Sequence, residues 1–231
     1  MNKTLIFLVS AAMVCAAPSS HGQNFTDLNF ESAQIIPAST NTDGSINIAT
    51  ANALPGWNAL FGTNQLPLIP YDQSHGGIAP AVSLLGGSQD PPIDGNFDIS
   101  LHGGSIVQTA MVPANAVSLF FDAAFGYSQP FTVSLDGQDL SYSAIANGVN
   151  SSGLSYTVYG GDISAYAGQI ETLTFSTGAG SSGGILDNIQ FSPTPVPEPS
   201  TIPLSCLSIG ILILFPIVRR LKLKNEIPDY A

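Results

Sequence analysis

Oxygen-bearing side chains stand at alternate positions in Asp94-Gly95-Asn96-Phe97-Asp98, which is how a loop begins when it wraps a calcium ion. The pattern then breaks. Ile99 stands where the turn glycine belongs and Ser105 where the closing acid belongs, so a hairpin turn is the better reading. His75-Gly76-Gly77 and His102-Gly103-Gly104 offer imidazoles for metal binding or proton transfer, but neither has a defined third partner, and both read as structural. Trp57, Tyr71, Tyr127, Tyr142, Tyr156, Tyr159 and Tyr166 carry ring faces on which a sugar could stack. Trp57 and Tyr127 are the candidates taken for such a platform, although Trp57 after Pro55-Gly56 reads first as a core anchor beneath a loop. No nucleophile elbow, phosphate loop or zinc spacing occurs, and the many Ser and Asp residues fix no triad. The chain reads as non-enzymatic.

These residues must be positioned by strands, because the dominant period is two. Asn96-Phe97-Asp98-Ile99-Ser100-Leu101 alternates polar with apolar, and Phe131-Thr132-Val133-Ser134-Leu135 does so again before the turn Asp136-Gly137. Further strands are expected at 25–30, 81–85, 105–111, 117–122, 155–159, 171–176 and 185–191. Asp94-Gly95, Gly103-Gly104, Asn147-Gly148, Gly160-Gly161 and Gly183-Gly184 punctuate the gaps. Residues 41–65 are less regular and read as long loops with short strands. Many short strands with turn signals and little helical periodicity predict an all-β fold, a single β-sandwich of jelly-roll type.

Charge is distributed very unevenly. The chain has 16 acidic and 5 basic residues, a formal net charge of −11, and every Lys and Arg is either Lys3 or lies from Arg219 onward. The body between them has no Lys or Arg, which excludes nucleic acid as a partner and leaves no ion pairs to hold the fold. Both cysteines, Cys15 and Cys206, fall outside it, so roughly 170 residues must bury a core without a disulfide.

The two ends explain the asymmetry. Lys3, the apolar stretch 5–14 and the small residues Ala16, Ala17, Ser20 and Gly22 read as a secretory signal peptide over residues 1–22. A lipoprotein reading of Cys15 is disfavoured by Val14, where a small residue is needed. At the other end, Pro193-Thr194-Pro195-Val196-Pro197-Glu198-Pro199-Ser200 forms a stiff linker (193–200). An uncharged apolar segment follows (201–218), and its run 202–218 rises about 25 Å as a helix, enough for a short membrane span. Arg219, Arg220, Lys222 and Lys224 then mark the cytoplasmic side, residues 219–231, so that the β-sandwich of residues 23–192 faces outward.

This order resembles the bacterial PEP-CTERM proteins, closely so over residues 196–224, with an extension 225–231 that many of them lack. The resemblance implies a sorting signal with Pro197, Glu198 and Pro199 as recognition residues and Val196 flanking, processed by an exosortase-type membrane protease. It further implies an inner-membrane-anchored precursor that passes to the cell surface or extracellular matrix, as a structural or adhesive component. The body also resembles galactose-binding-like jelly rolls, found in many carbohydrate-binding modules. That likeness rests on Leu28-Asn29-Phe30-Glu31, Leu54-Pro55-Gly56-Trp57 and Leu186-Asp187-Asn188-Ile189. It implies a structural Ca²⁺ held by Glu31 and Asp187, and, as the alternative function, binding to exopolysaccharide.

Overall fold

Period-two patterning buries one side of each strand, and the buried sides meet in one core. The computed structural model describes residues 24–42, 44–73, 80–87, 91–125, 131–178 and 183–197. Outside them lie residues 1–22, expected to be a signal peptide, Glu198, Pro199, the apolar segment, the basic residues Arg219, Arg220, Lys222 and Lys224, and also His75 and Tyr127. Among the described residues no helix is long and apolar enough to cross a membrane.

The strands in chain order are β1 (Pro37–Thr40), β2 (Ile46–Ala49), β3 (Asn58–Phe61), β4 (Asn64–Gln65), β5 (Leu68–Tyr71), β6 (Val82–Leu85), β7 (Asp98–Leu101) and β8 (Ser105–Met111). They continue with β9 (Ser118–Phe125), β10 (Thr132–Leu135), β11 (Gln138–Asp139), β12 (Tyr142–Val149), β13 (Ser155–Asp162), β14 (Ile170–Ser176) and β15 (Gly184–Ser192). A four-residue helix α1 (Thr50–Ala53) and one 3-10 turn, Ser164–Tyr166, complete the described elements. They form two sheets. One has nine strands in the order β1-β2-β5-β6-β7-β15-β9-β13-β12, and the other six in the order β11-β10-β14-β8-β3-β4. Pairing is antiparallel except between β5 and β6.

The fold is therefore an all-β sandwich. Ile106 on β8, Val133 and Leu135 on β10, and Leu173 and Phe175 on β14 face Ile99 and Leu101 on β7, Leu119 and Phe121 on β9, and Leu186 on β15 across one continuous core. The chain divides into two compact units between Thr194 and Pro195, and every strand belongs to the first.

Three expectations need correction. No strand forms at 25–30, because Asp27 and Phe30 adopt positive φ (50° and 57°) and turn the chain. Thr26 finds its partner instead in the Gln108 side chain, whose Oε1 accepts from the Thr26 amide at 2.7 Å while Nε2 donates to the Thr26 carbonyl at 3.0 Å. Asn147-Gly148 is no turn, since both residues lie within β12 opposite Thr157 and Tyr156. Gly160-Gly161 likewise lies inside β13. At Gly148 the glycine admits the cross-strand Tyr156 ring, whose Cζ would stand 2.3 Å from an added Cβ.

Candidate functional site

Residues 93–97 lead into β7 and give four backbone N–H groups to three carboxylates from three parts of the chain. Ile93 N–H donates to Asp98 Oδ2 at 3.0 Å and Asp94 N–H to Asp187 Oδ2 at 3.1 Å. Asn96 N–H and Phe97 N–H both donate to Glu31 Oε1, at 2.7 and 3.0 Å, while Asn96 Nδ2 donates to Oε2 at 2.7 Å. Gly95 makes this possible. Its φ of +61° suits glycine, and a Cβ there would lie 2.3 Å from Glu31 Oε1. With no Lys or Arg among the described residues, backbone amides are the donors that hold these carboxylates, and hydrogen bonds to a charged acceptor are the stronger kind.

Behind this loop the sheet crowds its acids. Asp187 on β15 lies directly opposite Asp122 on β9. Asp187 is 1% exposed. Burial pushes its carboxyl up to about 7, the amides of Asn188 and Asp94 pull it down, and the neighbouring Asp122 and Asp94 add repulsion. Asp122 is raised too, mainly by burial, against a hydrogen bond from Asn188. Asn188 is the tie. It sits at positive φ (49°) where the register of β15 shifts, donates N–H to Asp187 Oδ1 at 2.7 Å, and gives Nδ2 to Asp122 Oδ2 at 3.1 Å. The next amide, Ile189 N–H, reaches the Leu28 carbonyl at 2.9 Å and fastens β15 to the segment carrying Glu31.

The structure thus brings Glu31 and Asp187 to one loop, each on different amides. All four of their oxygens accept N–H hydrogens. Among the described residues, no three His, Cys, Asp or Glu side chains stand together as a metal-sized group. A divalent cation here would compete with those amides for the same oxygens. Asp122 and Asn188 went unseen as members of the cluster because their roles arise from the register between β9 and β15, which spacing along the chain does not encode.

The aromatic candidates separate cleanly. Trp57 is 3% exposed, its ring lies 6.1 Å from that of Phe30, and its indole N–H donates to the Asp27 carbonyl at 3.1 Å. As a sugar platform it is out of reach, a correction in favour of the core anchor. Tyr142 and Tyr159 pack edge to face at 5.4 Å and both contact Phe121, and the Tyr142 hydroxyl donates to the Phe131 carbonyl. Burial pushes the Tyr142 hydroxyl up to about 12. Tyr71 and Tyr166 also pack against the core. Tyr156 differs, lying across Gly148 in an open groove of about 550 Å³ lined by Asn147, Val149, Ser155 and Thr157. Tyr127 lies outside the described residues. His102 touches Ser100 Oγ at 3.3 Å through Nε2 and packs on Gly183.

No family model, no curated protein and no solved structure matches this chain.

Proposed function

We propose that the chain is a non-catalytic exported protein of PEP-CTERM type, carrying a jelly-roll β-sandwich to the cell surface or extracellular matrix. A signal peptide directs export, and the apolar helix and basic cluster hold the precursor in the inner membrane. An exosortase-type protease then cleaves at Val196-Pro197-Glu198-Pro199. One observation carries the reading: the last strand ends at Ser192 and the compact unit closes at Thr194, two residues before Val196. A cut at the motif would release the sandwich with its core intact. The test is expression of the full chain with and without an exosortase-type protease, following membrane-bound and released protein. The intact chain is expected to be released only with the protease, and a Pro197→Ala, Glu198→Ala variant is expected to stay in the membrane. Release of the variant at the wild-type rate would sink the sorting role.

A second reading is a carbohydrate-binding module, favoured by Tyr156. It is set off from the core and lies at a groove without charged side chains. That chemistry suits a neutral sugar, with the ring face against its C–H groups. A structural Ca²⁺ at Glu31 and Asp187 stays a proposal of the same reading, supported by the mutual repulsion of Asp94, Asp122 and Asp187, which a divalent cation would offset.

A further inference from the structure

We infer that β12 is a docking edge for a second copy of this chain, the two β12 strands pairing antiparallel about a two-fold axis. Two open sheets have four outer strands, and three of these are closed off by their form. β4 and β11 have two residues each, and β1 has four and begins at Pro37. β12 runs for eight residues with no proline and no charge. Ser143, Ala144, Ala146, Asn147 and Val149 are exposed along it, Val149 to 66%. One side of the strand pairs with β13, and among the described residues no backbone hydrogen bond from another element reaches the other. An unpaired row of N–H and C=O groups of this length is a template for strand addition.

The charge pattern selects the occupant. Residues 140–161 contain no Asp, Glu, Lys or Arg, and the body they belong to lacks Lys and Arg throughout. Two copies repel each other wherever carboxylates face outward and meet no such repulsion along this exposed edge. A basic partner would be drawn to the carboxylates instead. Identical strands are self-complementary when antiparallel, the isologous arrangement of two-fold dimers, and the small Ser and Ala side chains allow close approach. The register shift between Ala144 and Ala146 leaves Ile145 as a bulge, which divides the edge into two short regular stretches, 142–144 and 146–149. Such a short seam gives weak, reversible association, suited to a protein concentrated in a matrix. The inference deepens the structural-matrix reading by naming the partner.

Both sheets and the whole core lie within residues 24–194, so this fragment carries everything it needs to fold. Sedimentation equilibrium of the fragment over rising concentration is expected to show a reversible monomer–dimer equilibrium. An Ala144→Lys, Ala146→Lys variant is expected to stay monomeric with its melting temperature unchanged, as is the Ala144→Glu, Ala146→Glu counterpart, and mixing the two should restore the dimer through opposite charges. Should either double variant fold poorly, Ser143→Lys on the same edge takes its place. A wild-type fragment that is monomeric at every concentration, or a lysine variant that still dimerises, overturns the inference. A monomer still released at the Pro-Glu-Pro motif would leave the sorting reading intact.

Discussion

At residues 93–97 the chain is held by carboxylates that arrive from 65 and 93 positions away, each accepting backbone amides. The β12–β13 hairpin is held by its own ladder, with strands five residues apart in sequence and no charge on residues 140–161. Both regions belong to a body without Lys or Arg, and they show its two options. Carboxylates in such a body can be fixed only by N–H and O–H donors, which makes the acidic loop a long-range clasp whose energy depends on protonation. Where carboxylates are left out, as on this hairpin, the surface is neutral, and that is where the proposed contact between copies lies.

The sharpest way to break this contrast is pH. Asp187 has a folded-state pKa of about 7 against an ordinary 3.8, so between those values the folded chain keeps a proton that the unfolded chain has released. Its contribution to stability is fully present below about pH 4 and is lost as pH rises through about 7. A shift of roughly three units corresponds to at most about 4 kcal/mol. Urea midpoints should fall from pH 4 towards pH 8, and Asp187→Asn should flatten the curve. A midpoint that rises over this window would show that the amides of Asn188 and Asp94 outweigh burial. Calcium sharpens the same experiment: at pH 7.5 a bound ion would raise the wild-type midpoint and leave a Glu31→Gln, Asp187→Asn variant unmoved, whereas equal midpoints with calcium and with a chelator would remove the ion from the proposal.

Glu31 comes next in size. Glu31→Ala removes the acceptor for three N–H donors, at a cost of about 3 kcal/mol and a melting temperature about 10 °C lower. Glu31→Gln keeps one acceptor oxygen and should cost about a third as much. Comparable substitutions of exposed residues on β12, such as Ser143→Ala, should change stability by less than about 0.5 kcal/mol. Thermal melts of the three variants check the ranking, and a Glu31→Ala protein as stable as wild type would mean the loop does not need its clasp.

How far these regions were legible follows from the range of the interactions that make them. β8 was readable from its bounds, Gly103-Gly104 before it and Pro113 after it, although its buried face carries Gln108 and its other face Val107 and Met111. The turn at Asp136-Gly137 was readable because its chemistry is local. β12 was missed, since its exposed edge position relaxes the alternation and Asn147-Gly148 mimics a turn. A glycine under a cross-strand tyrosine looks, in one dimension, like a glycine in a bend. The family resemblance paired Glu31 with Asp187 as ligands of one Ca²⁺, and the structure sets each on different amides of the 93–97 loop, while Asp122 and Asn188 depend on strand register and a bulge. No local pattern carries that information.

Two of the hairpin's three tyrosines give the smallest and most discriminating contrast, because Tyr142 and Tyr156 are the same residue type fourteen positions apart. Tyr142 sends its ring into the core against Phe121 and its hydroxyl to the Phe131 carbonyl, so Tyr142→Phe leaves that carbonyl short of a donor and should cost about 1 kcal/mol. Tyr156 lies on Gly148 away from the core, so Tyr156→Ala should cost only about 0.5 kcal/mol. Binding should reverse the order. On the carbohydrate reading, retention of the domain in gels containing a neutral polysaccharide is lost with Tyr156→Ala and kept with Tyr142→Phe. If both variants lose retention, the effect runs through the fold. If both keep a retention that the wild type shows, the sugar is held elsewhere, with Tyr127 the remaining aromatic candidate. If the wild type itself is not retained, the groove binds no such sugar and the neutral hairpin serves only contact between protein copies.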